Sequence, residues 1–370
     1  MPKTALNRNL HQAKNAKKDE FYTQLTDIEN ELKHYKAHFK NKVVYCNCDD
    51  PRMSNFFHYF SYNFEDLGLK KLITTCYQNQ NRDLFSKHTS EQAIYLEYYG
   101  DKNNNKTPDV EEIGVQYLKG DGDFRSAESI ALLQQADIVV TNPPFSLFRE
   151  YVAQLIQYDK KFIILGNLNA ITYKEIFPLI KKNKLWFGPS IHSGDREFGV
   201  PDNYPLKAAG YRIDENGRKF IRVKGVRWFT NLDHNKRHED LILYKTYSEE
   251  DYPKYDNYDA INVDKTKEIP MDYKGAMGVP ITFLDKYNPE QFEILGITSG
   301  RNELECVPIK RYKNPKQINK NGSVTNGSKA NTRATILMKN EPSEIYYTAD
   351  NVDGFLKILY ARILIKNKRL

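Results

Sequence analysis

Asn142-Pro143-Pro144-Phe145 holds the residue types and spacing to do chemistry, and that chemistry is the activation of a weak amine. An exocyclic amine on an aromatic ring is a poor nucleophile because its lone pair is delocalised into the ring. If the Asn142 side-chain carbonyl and a backbone carbonyl, that of Pro143, each accept one N–H, both hydrogens are held and the nitrogen can pyramidalise toward an electrophile. Proline has no N–H of its own, so nothing at the turn competes for those acceptors. Phe145 can stack on the ring that carries the amine and fix its plane. No strong base is required, since the nitrogen loses its proton only after becoming cationic; positioning governs the reaction. A rigid turn alone would account for Pro143-Pro144, which fix the exit path of the chain. It would not account for an amide and an aromatic ring on either side of them.

The elements that must hold such a turn can be read around it. Asp137-Ile138-Val139-Val140-Thr141 reads as a buried strand, and Leu147, Phe148, Tyr151, Val152, Leu155 and Ile156 then recur at helical spacing. Val43 to Asn47, Lys71 to Tyr77, Gly114 to Lys119 and Lys161 to Gly166 read as further strands. Ser54 to Phe64, Ser126 to Gln135 and Thr172 to Lys182 read as helices. Strands alternating with helices imply βαβ units, hence a mostly parallel α/β sheet with helices on both faces. The carboxyl ends of its strands are where ligands bind, and Asn142 follows one directly. Leu185-Trp186-Phe187 and Val226 to Thr230 suit an antiparallel pair at one edge, separated by an insertion over about 189–225. After Tyr247 the alternation stops. The expected division is therefore a catalytic domain over 1–247 and a further region over 248–370. Within the latter, Pro315 to Asn331 has almost no apolar residues and reads as a flexible loop or disordered chain.

Charge separates the same two parts. The 370 residues carry a net +7, yet Cys306 to Leu370 holds thirteen Lys and Arg against four acids, which leaves −2 for the rest. No acid falls between Cys306 and Asn340, while Lys310, Arg311, Lys313 and Lys316 open a run of cations. Such asymmetry is expected where one region neutralises phosphates, and a solvated tail is the alternative. Tyrosines interleaved with Lys and Asn after Tyr247 suit phosphate and base-edge contact as well as surface packing.

Other classes are excluded. No stretch approaches the ~20 apolar residues of a membrane helix, and the basic, polar N-terminus has no apolar core of a secretory signal. Four cysteines are too few for a disulfide scaffold, which points to the reducing cytoplasm. Cys46 and Cys48 read as small buried hydrophobes, and His234 and His238, beside Lys236 and Arg237, as part of a solvated loop, so no metal site is expected.

With these residues in view, the sequence resembles a family: Asn142 to Phe145 is similar to the catalytic motif of amino-methyltransferases that use S-adenosylmethionine, and the wider text resembles the EcoRI-type adenine-specific DNA methyltransferases. The matching stretches include Asp19 to Gln24, Val43 to Pro51, Gly120 to Arg125, Asn142 to Arg149, Ile171 to Glu175, Trp228 to Leu232, Pro253 to Ile261 and Gly278 to Leu284. The likeness covers nearly the whole chain and is weakest from Ser193 to Arg218 and from Arg301 to Asn351.

The resemblance implies a Rossmann-like methyltransferase domain followed by a C-terminal target-recognition region. The implied reaction carries a methyl group to the exocyclic nitrogen of an adenine swung out of duplex DNA. It places Phe21, Tyr22 and Thr23 against the methionine end of the cofactor, Asp49 and Asp50 at the end of the first strand, and Asp121 or Asp123 near the adenosine. Carboxylates suit a cationic sulfonium, which has no pyrophosphate to demand a glycine loop; Asp49-Asp50-Pro51 also makes a good helix start. Lys310, Arg311, Lys313 and Lys316 become contacts to DNA. A companion restriction endonuclease, a GAATTC site methylated at its second adenine, and a monomeric enzyme are implied by the same likeness. A protein-glutamine methyltransferase and a catalytically silent DNA-binding protein are the alternatives. The basic C-terminal region argues against the first, and the intact Asn142 motif against the second.

Overall fold

A computed structural model of the chain describes residues 21–48, 54–76, 93–105, 108, 112–200, 210–299 and 308–370. The described chain divides into two compact units: everything up to Ala170 together with Leu185–His234, and Ile171–Lys184 together with Asn235–Leu370.

The first unit lays down, in chain order, β1 (Tyr22–Thr23), β2 (Val43–Cys46), β3 (Lys71–Thr75), β4 (Ile94–Tyr98), β5 (Gly114–Tyr117) and β6 (Ile138–Thr141). It continues with β7 (Lys161–Asn167), β8 (Trp186–Phe187), β9 (Asp195–Val200), β10 (Arg212–Ile213), β11 (Lys219–Lys224) and β12 (Val226–Thr230). Eight of these form one sheet in the order β5-β4-β3-β2-β6-β7-β12-β8. Its centre, β3-β2-β6-β7, is parallel. Strands β2 and β6 are buried along their whole length, as apolar runs covered on both faces must be. Alternate residues point opposite ways. Val44, Cys46, Ile138, Val140, Ile163 and Leu165 join one apolar cluster with residues of the helices Leu25–Leu32, Lys36–Phe39 and Asn55–Tyr62. Tyr45, Val139, Phe162 and Ile164 are buried on the other face, where the helices Ala127–Gln135 and Phe148–Gln157 reach β2 and β7. Two of these helices start on a serine cap: Ser54 Oγ accepts the Phe56 N–H at 3.2 Å, and Ser126 Oγ accepts that of Ser129 at 3.1 Å.

The edges correct the expected sheet. Strands β12 and β8 do close one edge as an antiparallel pair. A second antiparallel pair, β4 and β5, closes the other, so only the central four strands are parallel. Gly114 to Tyr117 is a strand as the pattern predicts, yet it is exposed throughout and runs antiparallel at the rim. The expected helix over Thr172 to Lys182 shrinks to a 3-10 turn at Leu168–Thr172 and a short helix at Phe177–Lys181. Pro178 explains this: proline is tolerated in a first helical turn and disfavours helix in the residue before it. The insertion also has structure of its own, for β9 and β11 with β10 and β1 form a separate four-stranded sheet in the order β1-β9-β11-β10.

The second unit is built mainly of strands: β13 (Ile261–Asn262), β14 (Met277–Pro280), β15 (Phe292–Ile297), β16 (Lys316–Ile318), β17 (Val324–Asn326), β18 (Thr335–Met338), β19 (Tyr346–Thr348), β20 (Phe355–Ile358) and β21 (Arg362–Asn367). They make a sheet β13-β14-β21-β15 and a sheet β17-β16-β19-β20-β18. Pro315 to Asn331 is thus not the loop its composition suggests. Strands β16 and β17 pair antiparallel with Lys316 opposite Asn326 and Ile318 opposite Val324. Their turn is closed by Asn319 and Ser323, with Gly322 at φ +76° supplying the left-handed residue. An edge ribbon of three-residue strands buries little, so its sequence carries little apolar signal.

Candidate active site

Strand β6 delivers Asn142 to the carboxyl edge of the parallel strands, and two flanking residues fix the delivery. The Thr141 hydroxyl donates to the Asn47 carbonyl, and the Tyr151 hydroxyl donates to Asn47 Oδ1. Asn47, the residue after β2, is thereby tied to β6 and to the helix that leaves the turn. Tyr151 is completely buried, and burial holds its hydroxyl well above the ordinary phenol range, so it stays a donor.

Beyond Asn142 the chain turns through Pro143, which is buried, and Pro144, which is partly exposed. The Pro144 carbonyl accepts the Leu147 N–H at 2.9 Å and starts the 3-10 turn Phe145–Leu147 ahead of the helix. With one hydrogen bond already held by the Pro144 carbonyl, the Pro143 carbonyl is the candidate to share an acceptor role with Asn142.

The amide of Asn142 is 6% exposed and its two ends differ. Nδ2 donates to the Phe21 carbonyl at 2.7 Å. Oδ1 is buried and has no partner. A buried carbonyl oxygen without a donor costs about 1–3 kcal/mol, so the turn retains an acceptor at the expense of stability. Phe145, partly exposed, meets the Phe21 ring edge-on with centroids 6.0 Å apart.

Phe21, Tyr22 and Thr23 come to this same place. Phe21 and Thr23 are buried, the Thr23 carbonyl accepts from Asn55 Nδ2 at 2.7 Å, and Thr23 Oγ1 is another buried oxygen without a partner. Thr74 Oγ1, near the carboxyl end of β3, is a third. Cys48, just after β2, adopts φ +87°, a left-handed conformation rare outside glycine. The segment that would follow, with Asp49 and Asp50, lies outside the described residues.

Asp121 and Asp123 are carried to the end of β3 by Gly122. At φ +78°, a Cβ on Gly122 would lie 2.2 Å from the Cys76 carbonyl oxygen, so only glycine permits this approach. Asp123 is engaged twice over by Arg125, through Nε at 2.9 Å and Nη2 at 2.7 Å, and Arg125 reaches on to Glu150 at 3.0 Å. The guanidinium holds the Asp123 carboxyl below its usual range. Asp121 accepts only the Asp123 N–H among its described contacts, at 3.0 Å, and is the better placed of the two to meet a ligand.

In the second unit the four expected cations separate. Lys310 is ion-paired with Asp256 at 3.0 Å and partly buried, whereas Arg311, Lys313 and Lys316 are exposed. Asn47, Asn55, Thr74, Tyr151 and Phe198 are candidate supporting residues that the motif reading does not single out. Only the strand-end position of Asn47 and Thr74 marks them in the sequence.

The chain matches the family model described as adenine-specific methyltransferase EcoRI over residues 9–368. It is 56% identical over 307 residues to the type II methyltransferase M.EcoRI of Escherichia coli, covering 82% of this chain and 94% of that protein. It is 44% identical over 295 residues to the type II methyltransferase M.MgeORF184P of Mycoplasma genitalium, covering 78% and 85%. Against the type II methyltransferase M.MpnI of Mycoplasma pneumoniae it is 42% identical over 290 residues, covering 77% and 84%. No solved structure matches the chain.

Proposed function

The chain belongs to the EcoRI family of adenine-specific methyltransferases, and from that premise we propose how the Asn142 turn carries out the reaction and which residues serve it. The enzyme is a site-specific DNA methyltransferase that modifies the N6 amine of adenine in double-stranded DNA. Asn142 Oδ1 accepts one N6–H and the Pro143 carbonyl accepts the other. Pro144 shapes the turn, and Phe145 stacks on the adenine once it has left the helix. The observation that carries this is the asymmetry of one amide: its donor end is bonded to the Phe21 carbonyl, and its acceptor end is buried and unpaired.

S-adenosylmethionine is the methyl donor in this reading, on a Rossmann-like sheet. Phe21, Tyr22, Thr23, Asp121 and the Asp49-Asp50 segment would hold it, and Asp123 shapes its loop. The fit rests on the buried, partnerless Thr23 Oγ1 and Thr74 Oγ1 and on the strained Cys48 at the strand ends. When bound, the sulfonium supplies an electrophilic methyl carbon and leaves as a neutral thioether. The residues hold the amine, shield it from water and keep both its hydrogens engaged until one is released. The second unit, with Arg311, Lys313 and Lys316, reads the DNA target in this proposal. GAATTC is the candidate sequence, methylated at its second adenine, and protection from a companion endonuclease in the cytoplasm is the role that fits a type II enzyme.

The test incubates the protein with methyl-labelled S-adenosylmethionine and duplexes containing GAATTC or scrambled sequence, then digests the DNA to nucleosides. N6-methyl-2′-deoxyadenosine from the GAATTC duplex, lost in Asn142→Ala with DNA affinity retained, is the expected result. Label on protein instead of DNA, or full activity in Asn142→Ala, would overturn the reading.

A further inference from the structure

The small sheet β1-β9-β11-β10 takes β9 and β10 from the stretch of weakest family likeness, and the reaction as described gives those two strands no task. Its first strand is Tyr22–Thr23, and the residue before that strand supplies the carbonyl that holds Asn142 Nδ2. An asparagine amide can sit either way round. Turned over, Asn142 would present its NH2 to an incoming amine, donor against donor, and set its own oxygen against the Phe21 carbonyl. A carbonyl accepts and cannot donate, so Phe21 selects the one orientation that leaves Oδ1 for the substrate.

Three contacts place that carbonyl. Strand β1 pairs with β9, Tyr22 opposite Gly199 and Thr23 opposite Phe198. The Phe21 ring packs on Phe198, with centroids 5.8 Å apart and Phe198 itself 1% exposed. From the other side Asn55 Nδ2 donates to the Thr23 carbonyl at 2.7 Å. The geometry points to Phe198 and Asn55 as positioning residues for methyl transfer: through β1 they set which end of the Asn142 amide faces the adenine. The inference rests on Asn142 being the amine acceptor.

Two variants test it in the full-length enzyme, by single-turnover methylation with donor and DNA saturating. Asn55→Asp removes the donor to Thr23, and an acid in a first helical turn does not weaken that helix. Phe198→Leu keeps an apolar side chain but loses the ring contact. Each is expected to slow single-turnover methylation by about 10- to 100-fold, the scale at which misplacement of reacting groups acts. The DNA KM should stay within about twofold of wild type, and Phe198→Tyr should recover most of the rate. Both variants should remain folded at the assay temperature. Wild-type rates in both variants would overturn the inference, as would a rate loss matched by lower melting and weaker DNA binding. Rescue by a mispaired target adenine would also overturn it, because the defect would then lie in extruding the base. If Asn142→Ala is inactive while both variants run at full rate, the positioning role falls and the function stands.

Discussion

The Tyr151 hydroxyl donates to Oδ1 of Asn47, so a side chain on the helix leaving the Asn142 turn grips the residue that ends β2. Together with the Thr141 hydroxyl on the Asn47 carbonyl, it locks two strand ends to one another at the edge where the reaction is placed. Tyr151→Phe preserves the ring and leaves Asn47 Oδ1 without its donor inside the protein. A loss of about 1–3 kcal/mol is expected, read as a lower urea midpoint with unchanged slope.

Asn142→Asp separates orientation from acceptance. A carboxylate accepts at both oxygens, so one of them faces the Phe21 carbonyl in place of Nδ2. We expect the variant to bind DNA and to methylate at least ~100-fold more slowly at pH 8. Its rate should rise as pH falls, because a protonated carboxyl can donate to Phe21 while its carbonyl accepts from the amine. A flat pH–rate profile for the variant, measured beside wild type, would contradict this.

Glu31 gives the fold a pH dependence. It is fully buried, accepting from the Tyr35 hydroxyl at 2.9 Å and from the Ser190 N–H at 3.0 Å, and burial pushes its carboxyl up to about 7. The folded state therefore binds a proton more tightly than the unfolded chain. Stability from this group is greatest below the ordinary carboxylate range, declines as pH rises toward 7, and stays lower above it, by about 3 kcal/mol. Glu31→Gln, which mimics the protonated group, should melt higher than wild type at pH 8 and lose that advantage near pH 5. Equal melting at both values would contradict the prediction.

The cations of the second unit should divide in the same way as their contacts. Arg311→Ala with Lys313→Ala and Lys316→Ala should weaken DNA binding and reduce the slope of log affinity against log salt by up to about three. Lys310→Ala, which unpairs Asp256, should lower the melting temperature and change the salt slope less. A slope unmoved by the triple variant would return these residues to a solvated surface.

Much of this was legible before any coordinates. The apolar run before Asn142, the serine-capped helices at Ser54 and Ser126, and the antiparallel closure by Trp186–Phe187 and Val226–Thr230 all follow from local pattern. The motif itself offered Asn142 to Phe145 as the candidate site, and strand β6 ends directly before them. What stayed hidden depends on partners far apart in the chain. Nothing near Asn142 announces the Phe21 carbonyl 121 residues earlier, and nothing near Phe198 announces Phe21. Lys310 looked like its neighbours because Asp256, which neutralises it, lies 54 residues away. Strand β4 lies inside the sheet and does alternate, with Ile94, Leu96 and Tyr98 buried, so its pattern was there to read; the ribbon β16–β17 escaped for another reason. At the rim of a sheet the composition need not be apolar, so periodicity has little to act on.

The segment Ile171–Lys184 belongs with the C-terminal unit although the chain on both sides of it belongs with the first. The polypeptide therefore enters the second unit, returns and enters again. Shortening the protein after residue 247 would strip that helix-bearing segment of its companions and leave it on the remainder as an orphan. An exchange of the whole second unit among relatives, by recombination or in the laboratory, would have to move two separate stretches of gene together. A graft of the tail alone would join a borrowed tail to a native piece that did not evolve with it.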